Sequence, residues 1–359
     1  MSGSPSPKAS PTPNALTPPS SGDPRVTILG AGSWGTALAA VLARAGRSVC
    51  LWTIEDEVVA DLNQRHRNTK YLPGIELPAA VSAHRDSAAA LAGAQFVVWA
   101  LPMAVLRPVA LQVSSQVAPA WAPGGAAGPV HVSLAKGLEK ATHRRPTQVL
   151  HEVFPTGRIA ALLGPSHAEE VARGVPTTVA ACADDPATAR DVQALFHGER
   201  FRVYTNDDLP GSEYGTALKN VIAVAAGISD GLGFGDNTKG ALVTRGLAEM
   251  SRLGIALGGR RETFFGLTGL GDLVTTAFSR WSRNRHVGEE LGRGLPLATI
   301  LGSMTQVAEG VPTSRVALEL ARERNVEVPI IEQVTAVLFE DKSPRDALLD
   351  LLARDARRE

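Results

Sequence analysis

Gly30-Ala31-Gly32-Ser33-Trp34-Gly35 constrains this chain more than any other segment. It follows the apolar run Val26-Thr27-Ile28-Leu29 and precedes Leu38, Val41, Leu42 and Ala45, which recur at helical spacing. A G-x-G-x-x-G match carries weight when it lies between a strand and a helix, as it does here. Gly30 allows the tight turn, Gly32 lets backbone approach a pyrophosphate, and Gly35 permits close packing of helix on strand. The helix start adds free N–H groups and partial positive charge for the phosphates. A glycine-rich turn without a ligand is the blander alternative, and the context disfavours it. Gly266-Leu267-Thr268-Gly269-Leu270-Gly271 follows no strand, so it is not read as a second nucleotide loop.

Further strands are expected at Ser48 to Trp52, Phe96 to Leu101, His131 to Ala135, Arg158 to Leu163, Thr177 to Cys182 and Phe201 to Tyr204. Strands alternating with helical segments predict an α/β domain, a Rossmann-type, doubly wound, mostly parallel sheet with helices on both faces. After Asn206 the pattern becomes helical: Leu209 to Ser229, Thr238 to Leu257, Leu297 to Gly302, Thr313 to Arg324, Ile331 to Phe339 and Pro344 to Ala353. The expected organisation is a disordered Ser/Pro-rich tail over 1–24, a dinucleotide-binding domain over 25–206 and an all-helical domain over 207–359.

Composition narrows the functional classes. Lys plus Arg and Asp plus Glu balance at 36 each, which argues against a nucleic-acid binder. No apolar stretch is long enough for a membrane span, and the tail lacks the apolar segment of a secretory signal, so a cytoplasmic protein is expected. Cys50 and Cys182 lie in apolar runs without metal-ligand spacing, so neither a disulfide nor a metal site is expected. Glu55 lies twenty residues beyond Gly35, where a carboxylate binds the adenosine ribose of NAD. Asp56 adds charge unfavourable to the 2′-phosphate of NADP, whereas Arg65 and Arg67 are possible compensators. NAD is modestly favoured over NADP.

Four more segments carry chemistry: Ala135-Lys136-Gly137-Leu138-Glu139 and Gly164-Pro165-Ser166-His167-Ala168 at strand ends, Leu218-Lys219-Asn220-Val221-Ile222-Ala223 in an apolar helix, and Gly269-Leu270-Gly271-Asp272-Leu273 followed by Ser282-Arg283-Asn284-Arg285. A lysine in an apolar helix is pushed toward neutrality by desolvation and suits general-base work, unless it snorkels to water. Arg283 offers a planar bidentate donor for a phosphate; a basic surface cluster is its alternative.

With Thr244-Arg245-Gly246-Leu247-Ala248-Glu249-Met250, these segments resemble bacterial-type NAD(P)-dependent glycerol-3-phosphate dehydrogenase from about Val26 to the C-terminal helix. The resemblance implies interconversion of sn-glycerol 3-phosphate and dihydroxyacetone phosphate, supply of glycerol 3-phosphate to phospholipid synthesis, and a homodimer. It implies Lys219 as proton acceptor, Lys136 as a contact to both ligands, and Asp272 as an orienting group. Gly164, Ser166, Ser282, Arg283 and Asn284 join them around the substrate. Gly30, Gly32, Ser33, Trp34, Gly35, Lys136, Ala168, Arg283, Val307 and Glu309 are the implied cofactor contacts. The family's usual basic residue after the second strand is Ile54 here, which weakens any case for NADP. A ketopantoate or β-hydroxyacid reductase, with Arg283 on a carboxylate, and a non-catalytic NAD sensor are the competing classes; Lys136, Lys219, Asp272 and Arg283 together argue against a sensor.

Overall fold

The computed structural model describes residues 25–117 and 128–353; the expected tail, 1–24, lies outside them. The strands are β1 (Val26–Leu29), β2 (Val49–Trp52), β3 (Arg67–Asn68), β4 (Leu72–Glu76), β5 (Val81–His84), β6 (Phe96–Trp99), β7 (Val130–Ser133), β8 (Arg158–Leu163), β9 (Thr177–Cys182) and β10 (Phe201–Asn206). Eight form one sheet in the order β10-β9-β8-β7-β6-β1-β2-β5. Neighbours run parallel, Val26 facing Val49 on one side and Phe96 on the other, except that β9 is antiparallel to β8. All four residues of β1, β2 and β7 are buried, as strands covered on both faces must be. Helices α1 (Ser33–Arg44), α2 (Asp56–Arg65), α3 (Ser87–Leu91), α4 (Met103–Val117), α5 (Pro146–Val153), α6 (Ala168–Ala172) and α7 (Pro186–Phe196) accompany the sheet. The Rossmann-type architecture expected from the sequence is the one observed. The hairpin β3–β4 and the edge strand β5 were not anticipated: β3 is two residues long, and β5 is a four-residue strand.

The rest of the described chain is helical: α8 (Leu209–Gly231), α9 (Asp236–Ala256), α10 (Arg261–Phe264), α11 (Asp272–Phe278), α12 (Arg283–Gly292), α13 (Leu297–Ser303), α14 (Gly310–Glu323), α15 (Pro329–Phe339) and α16 (Pro344–Leu352). The glycine-rich run rejected as a nucleotide loop is a π-helical turn, Leu267–Gly271, leading into α11. Helix α8 is buried almost from end to end and is surrounded by α9, α11, α12 and α14. Its crossing with α12 depends on absent side chains: a Cβ on Gly227 would lie 2.0 Å from the Arg285 carbonyl, and one on Gly288 2.0 Å from that of Val224. Glu249, in the Thr244–Met250 segment, is structural; its carboxylate accepts from Ile330 N at 2.8 Å and caps the start of α15.

A buried ion pair joins the two parts. Glu213 on α8 accepts from the Arg145 guanidinium, from Thr147 N at 2.9 Å and from Thr147 Oγ1 at 2.6 Å, so the start of α5 is held to the helical region. No described helix is long and apolar enough to cross a membrane.

His131 on β7 packs against Trp99 and Phe154, which also pack against each other, and its Nδ1 accepts from Trp99 Nε1 at 3.2 Å. Burial pushes this imidazole down to about 3. Unfolded, it takes a proton near pH 6.5, whereas folded it stays neutral until far lower. Its contribution is therefore present above pH 6.5 and is lost as pH falls toward 3. His131→Phe should lower stability at pH 7 by about 1 kcal/mol, through the orphaned Trp99 N–H, and should flatten the acid limb of a stability–pH curve. Denaturant melts between pH 4 and 8 test this; an unchanged acid limb would remove His131 from the account.

Candidate active site

Strand β1 lies between β2 and β6, and connections leave in opposite directions on its two sides, so a crevice opens at the carboxyl ends of these strands. The glycine-rich loop lines it. Gly30 has φ +110°, and a Cβ there would lie 2.4 Å from the Ala100 carbonyl in the loop after β6. Around Gly32, by contrast, an added Cβ would meet nothing within 4 Å, and no side chain caps the start of α1. This open helix start suits a pyrophosphate, so the loop fits a dinucleotide. Ser33 Oγ donates to Gln306 Oε1 at 3.2 Å, tying the loop to the segment before α14. The Trp34 indole N–H is buried without a hydrogen-bond partner among the described residues.

At the far end of β2, Ile54 is 68% exposed. Glu55 is already engaged: its Oε1 accepts from Tyr71 Oη at 2.7 Å and its Oε2 from Lys70 Nζ. Arg65, a possible compensator for a 2′-phosphate, is instead paired with Asp61 at 2.6 Å, four residues back on the same helix.

The strand-end lysine and the helical lysine meet on one carboxylate. Lys136 Nζ, from the turn after β7, donates to Asp272 Oδ2 at 2.9 Å and to the Gly164 carbonyl at 2.9 Å. Ser166 Oγ donates to the same carbonyl at 2.9 Å. Lys219 Nζ, from α8, donates to Asp272 Oδ1 at 3.1 Å and to Thr276 Oγ1 at 2.6 Å. Asp272 is 2% exposed and Lys219 4%, so the helical lysine does not snorkel. Burial pushes Lys219 down to about 7, with Asp272 opposing and Lys136 assisting. Burial also works against the Asp272 carboxylate, but Lys136 and Lys219 outweigh it and hold it below the usual range.

Arg283, at the first position of α12, makes no hydrogen bond or ion pair among the described residues. Its side chain is exposed, but crowding by neighbouring atoms still disfavours its charge, while Glu309 and Glu169 favour it. Glu309 accepts from Met103 N at 2.9 Å, and a Cβ on Gly137 would lie 3.2 Å from its Oε2. The neighbours of Arg283 are less free than the sequence suggests. Ser282 Oγ caps α12 by accepting from Arg285 N at 3.1 Å. Asn284 is spent on Asn220 Oδ1 at 2.9 Å and on Gly310 N at 2.8 Å. Val307 is exposed and Ala168 is buried at the start of α6.

Two members of the site escaped the sequence reading. Thr276, one helical turn after Asp272, carries no signal beyond that spacing. His167 lies inside a segment already marked, but a histidine after a turn is uninformative alone. Its Nε2 is buried without a hydrogen-bond partner among the described residues, and burial, with Lys219 and Lys136, pushes it down to about 4.

Comparisons with known proteins agree with this arrangement. Residues 25–189 match the family described as NAD-dependent glycerol-3-phosphate dehydrogenase N-terminus, and 208–349 match its C-terminus. The chain is 49% identical to glycerol-3-phosphate dehydrogenase [NAD(P)+] of Geobacter sulfurreducens, over 93% of this chain and 98% of the relative. It is 48% identical to a second such protein, of Salinibacter ruber, over 93% and 96%. The crystal structure of glycerol-3-phosphate dehydrogenase from Coxiella burnetii superposes with a TM-score of 0.86 at 38% identity, covering 92% of this chain and 99% of that one.

Asp272 compensates two ammoniums at once. Asp272→Ala should cost about 3–5 kcal/mol of stability in urea unfolding, the usual consequence of leaving buried charge unpaired. Adding Lys219→Met should return part of that loss. Strictly additive effects in the double-mutant cycle would show that the two groups are not coupled.

Proposed function

The chain belongs to the NAD-dependent glycerol-3-phosphate dehydrogenase family, and we propose from that premise that it interconverts sn-glycerol 3-phosphate and dihydroxyacetone phosphate with NAD or NADP. The observation that carries the reading is Asp272, bridging Lys136 and Lys219 in a chain that also carries an open dinucleotide loop. In this reading residues 25–206 hold the cofactor and 207–359 complete the substrate site. The enzyme acts as a cytoplasmic homodimer supplying glycerol 3-phosphate for phospholipid synthesis.

Oxidation removes a hydride from the substrate carbon and a proton from its hydroxyl. Bound NAD(P) supplies the hydride acceptor. Lys219 takes the proton: at about 7, a substantial fraction is neutral near physiological pH. Asp272 positions Lys219 and Lys136, and Lys136 polarises the reacting oxygen. Gly164 and Ser166 form the wall beside Lys136. Arg283, whose guanidinium has no hydrogen-bond or ion-pair partner among the described residues, takes the substrate phosphate in a bidentate fashion. Ser282 caps α12 and Asn284 ties it to Asn220 and Gly310, so both fix the start of the helix that carries Arg283. Val307 and Glu309 border the cofactor side, with Ala168 opposite.

Lys219→Met keeps most of the apolar stem and removes the titrating nitrogen. kcat for glycerol 3-phosphate oxidation should fall about 10²–10⁴-fold, and the rise in rate as pH climbs through about 7 should disappear. Lys136→Met should weaken substrate and cofactor yet retain that rise. If Lys136→Met abolishes it and Lys219→Met does not, the two roles are reversed.

Arg283→Ala should raise KM for glycerol 3-phosphate by about 2–5 kcal/mol of lost binding. Unchanged KM and kcat would place the phosphate elsewhere.

A further inference from the structure

The β3–β4 hairpin, unforeseen in the sequence, spans the adenosine side of the crevice. Asn68, buried in it, donates through Nδ2 to the carbonyl of Ala31, inside the glycine-rich loop, and to Thr36 Oγ1, both at 2.8 Å. Two and three residues on, Lys70 and Tyr71 reach Glu55 at the end of β2. Thr69 N is held by Asp61 Oδ2 at 2.8 Å, and Tyr71 N by Asn68 Oδ1 at 3.2 Å. A rigid turn thus sets Lys70 beside the carboxylate where an adenosine ribose is expected.

That carboxylate is not a free acceptor. Tyr71 occupies one oxygen and Lys70 the other, while Lys70 also donates to Glu57 Oε1 at 2.6 Å. A ribose diol needs Glu55 as an acceptor, whereas a 2′-phosphate needs a cation in the same place. Lys70 has three donors on an exposed, rotatable stem and a second carboxylate, Glu57, to fall back on.

We propose that Lys70 reads the 2′ position of the adenosine ribose, resting on Glu57 when NAD(H) claims Glu55 and turning to the 2′-phosphate when NADP(H) binds. One pocket then accepts both cofactors, although Ile54 supplies no cation. The assignment rests on the dinucleotide reading given above and refines it. Arg67, exposed on β3, is the rival cation; Arg65 is committed to Asp61.

Fluorescence titration of the full-length protein with NADH and NADPH tests the assignment without turnover. Lys70→Met should raise the Kd ratio of NADPH to NADH about tenfold or more, and Lys70→Arg should restore most of it. Glu55→Gln should move the ratio the other way, by weakening NADH. Inhibition by 2′-AMP, relative to 5′-AMP, should follow the NADPH trend. An unchanged ratio in Lys70→Met, or a larger change in Arg67→Met, overturns the role of Lys70 and leaves dinucleotide binding standing. Failure of the unaltered protein to bind either nucleotide overturns both.

Discussion

Asp272 is the constraint on which the rest depends. Two ammoniums sit within hydrogen-bond distance of one carboxylate, 2.9 Å and 3.1 Å away, in a place nearly closed to water. One negative charge for two positive ones leaves the pair under-compensated, and burial resolves the deficit by lowering the affinity of Lys219 for its proton. The lysine ends poised near neutrality while its neighbour Lys136 keeps a bond to Asp272 and to a backbone carbonyl. One carboxylate thus holds two lysines in different surroundings, one inside a buried helix and one at a strand end.

Such a cluster has to be assembled from distant elements, and the fold supplies the rigidity. Lys136 arrives on the turn after a sheet strand, Lys219 on a helix buried along its length, and Asp272 at the start of a third element. The α8–α12 crossing brings Arg283 near, through glycines that admit no side chain at the contact. Cross-links between the sheet and the helices hold the register: Arg145 with Glu213, Met103 N with Glu309, and Ser33 with Gln306. Each satisfies a polar group that would otherwise be costly to bury.

The architecture was legible because its causes are local. A strand, a G-x-G-x-x-G turn and an amphipathic helix leave few folds open, and near-continuous apolar strands predict a covered parallel sheet. The change to helical periodicity after Asn206 is equally local. The two-residue β3 is too short to show a period, and the hairpin it forms with β4 carries Lys70 and Tyr71 to Glu55.

Sequence alone, then, determined the class of fold, the nucleotide loop and the candidate lysines, since each depends on residues within one element. Only the tertiary structure decided that Lys136 and Lys219 share Asp272, that Ser282 and Asn284 are spent on holding α12, and that Glu55 is clasped by a hairpin. Those facts are distances between groups up to 136 residues apart in the chain. Charge compensation and desolvation are set by separation in space, which no local pattern of side chains encodes.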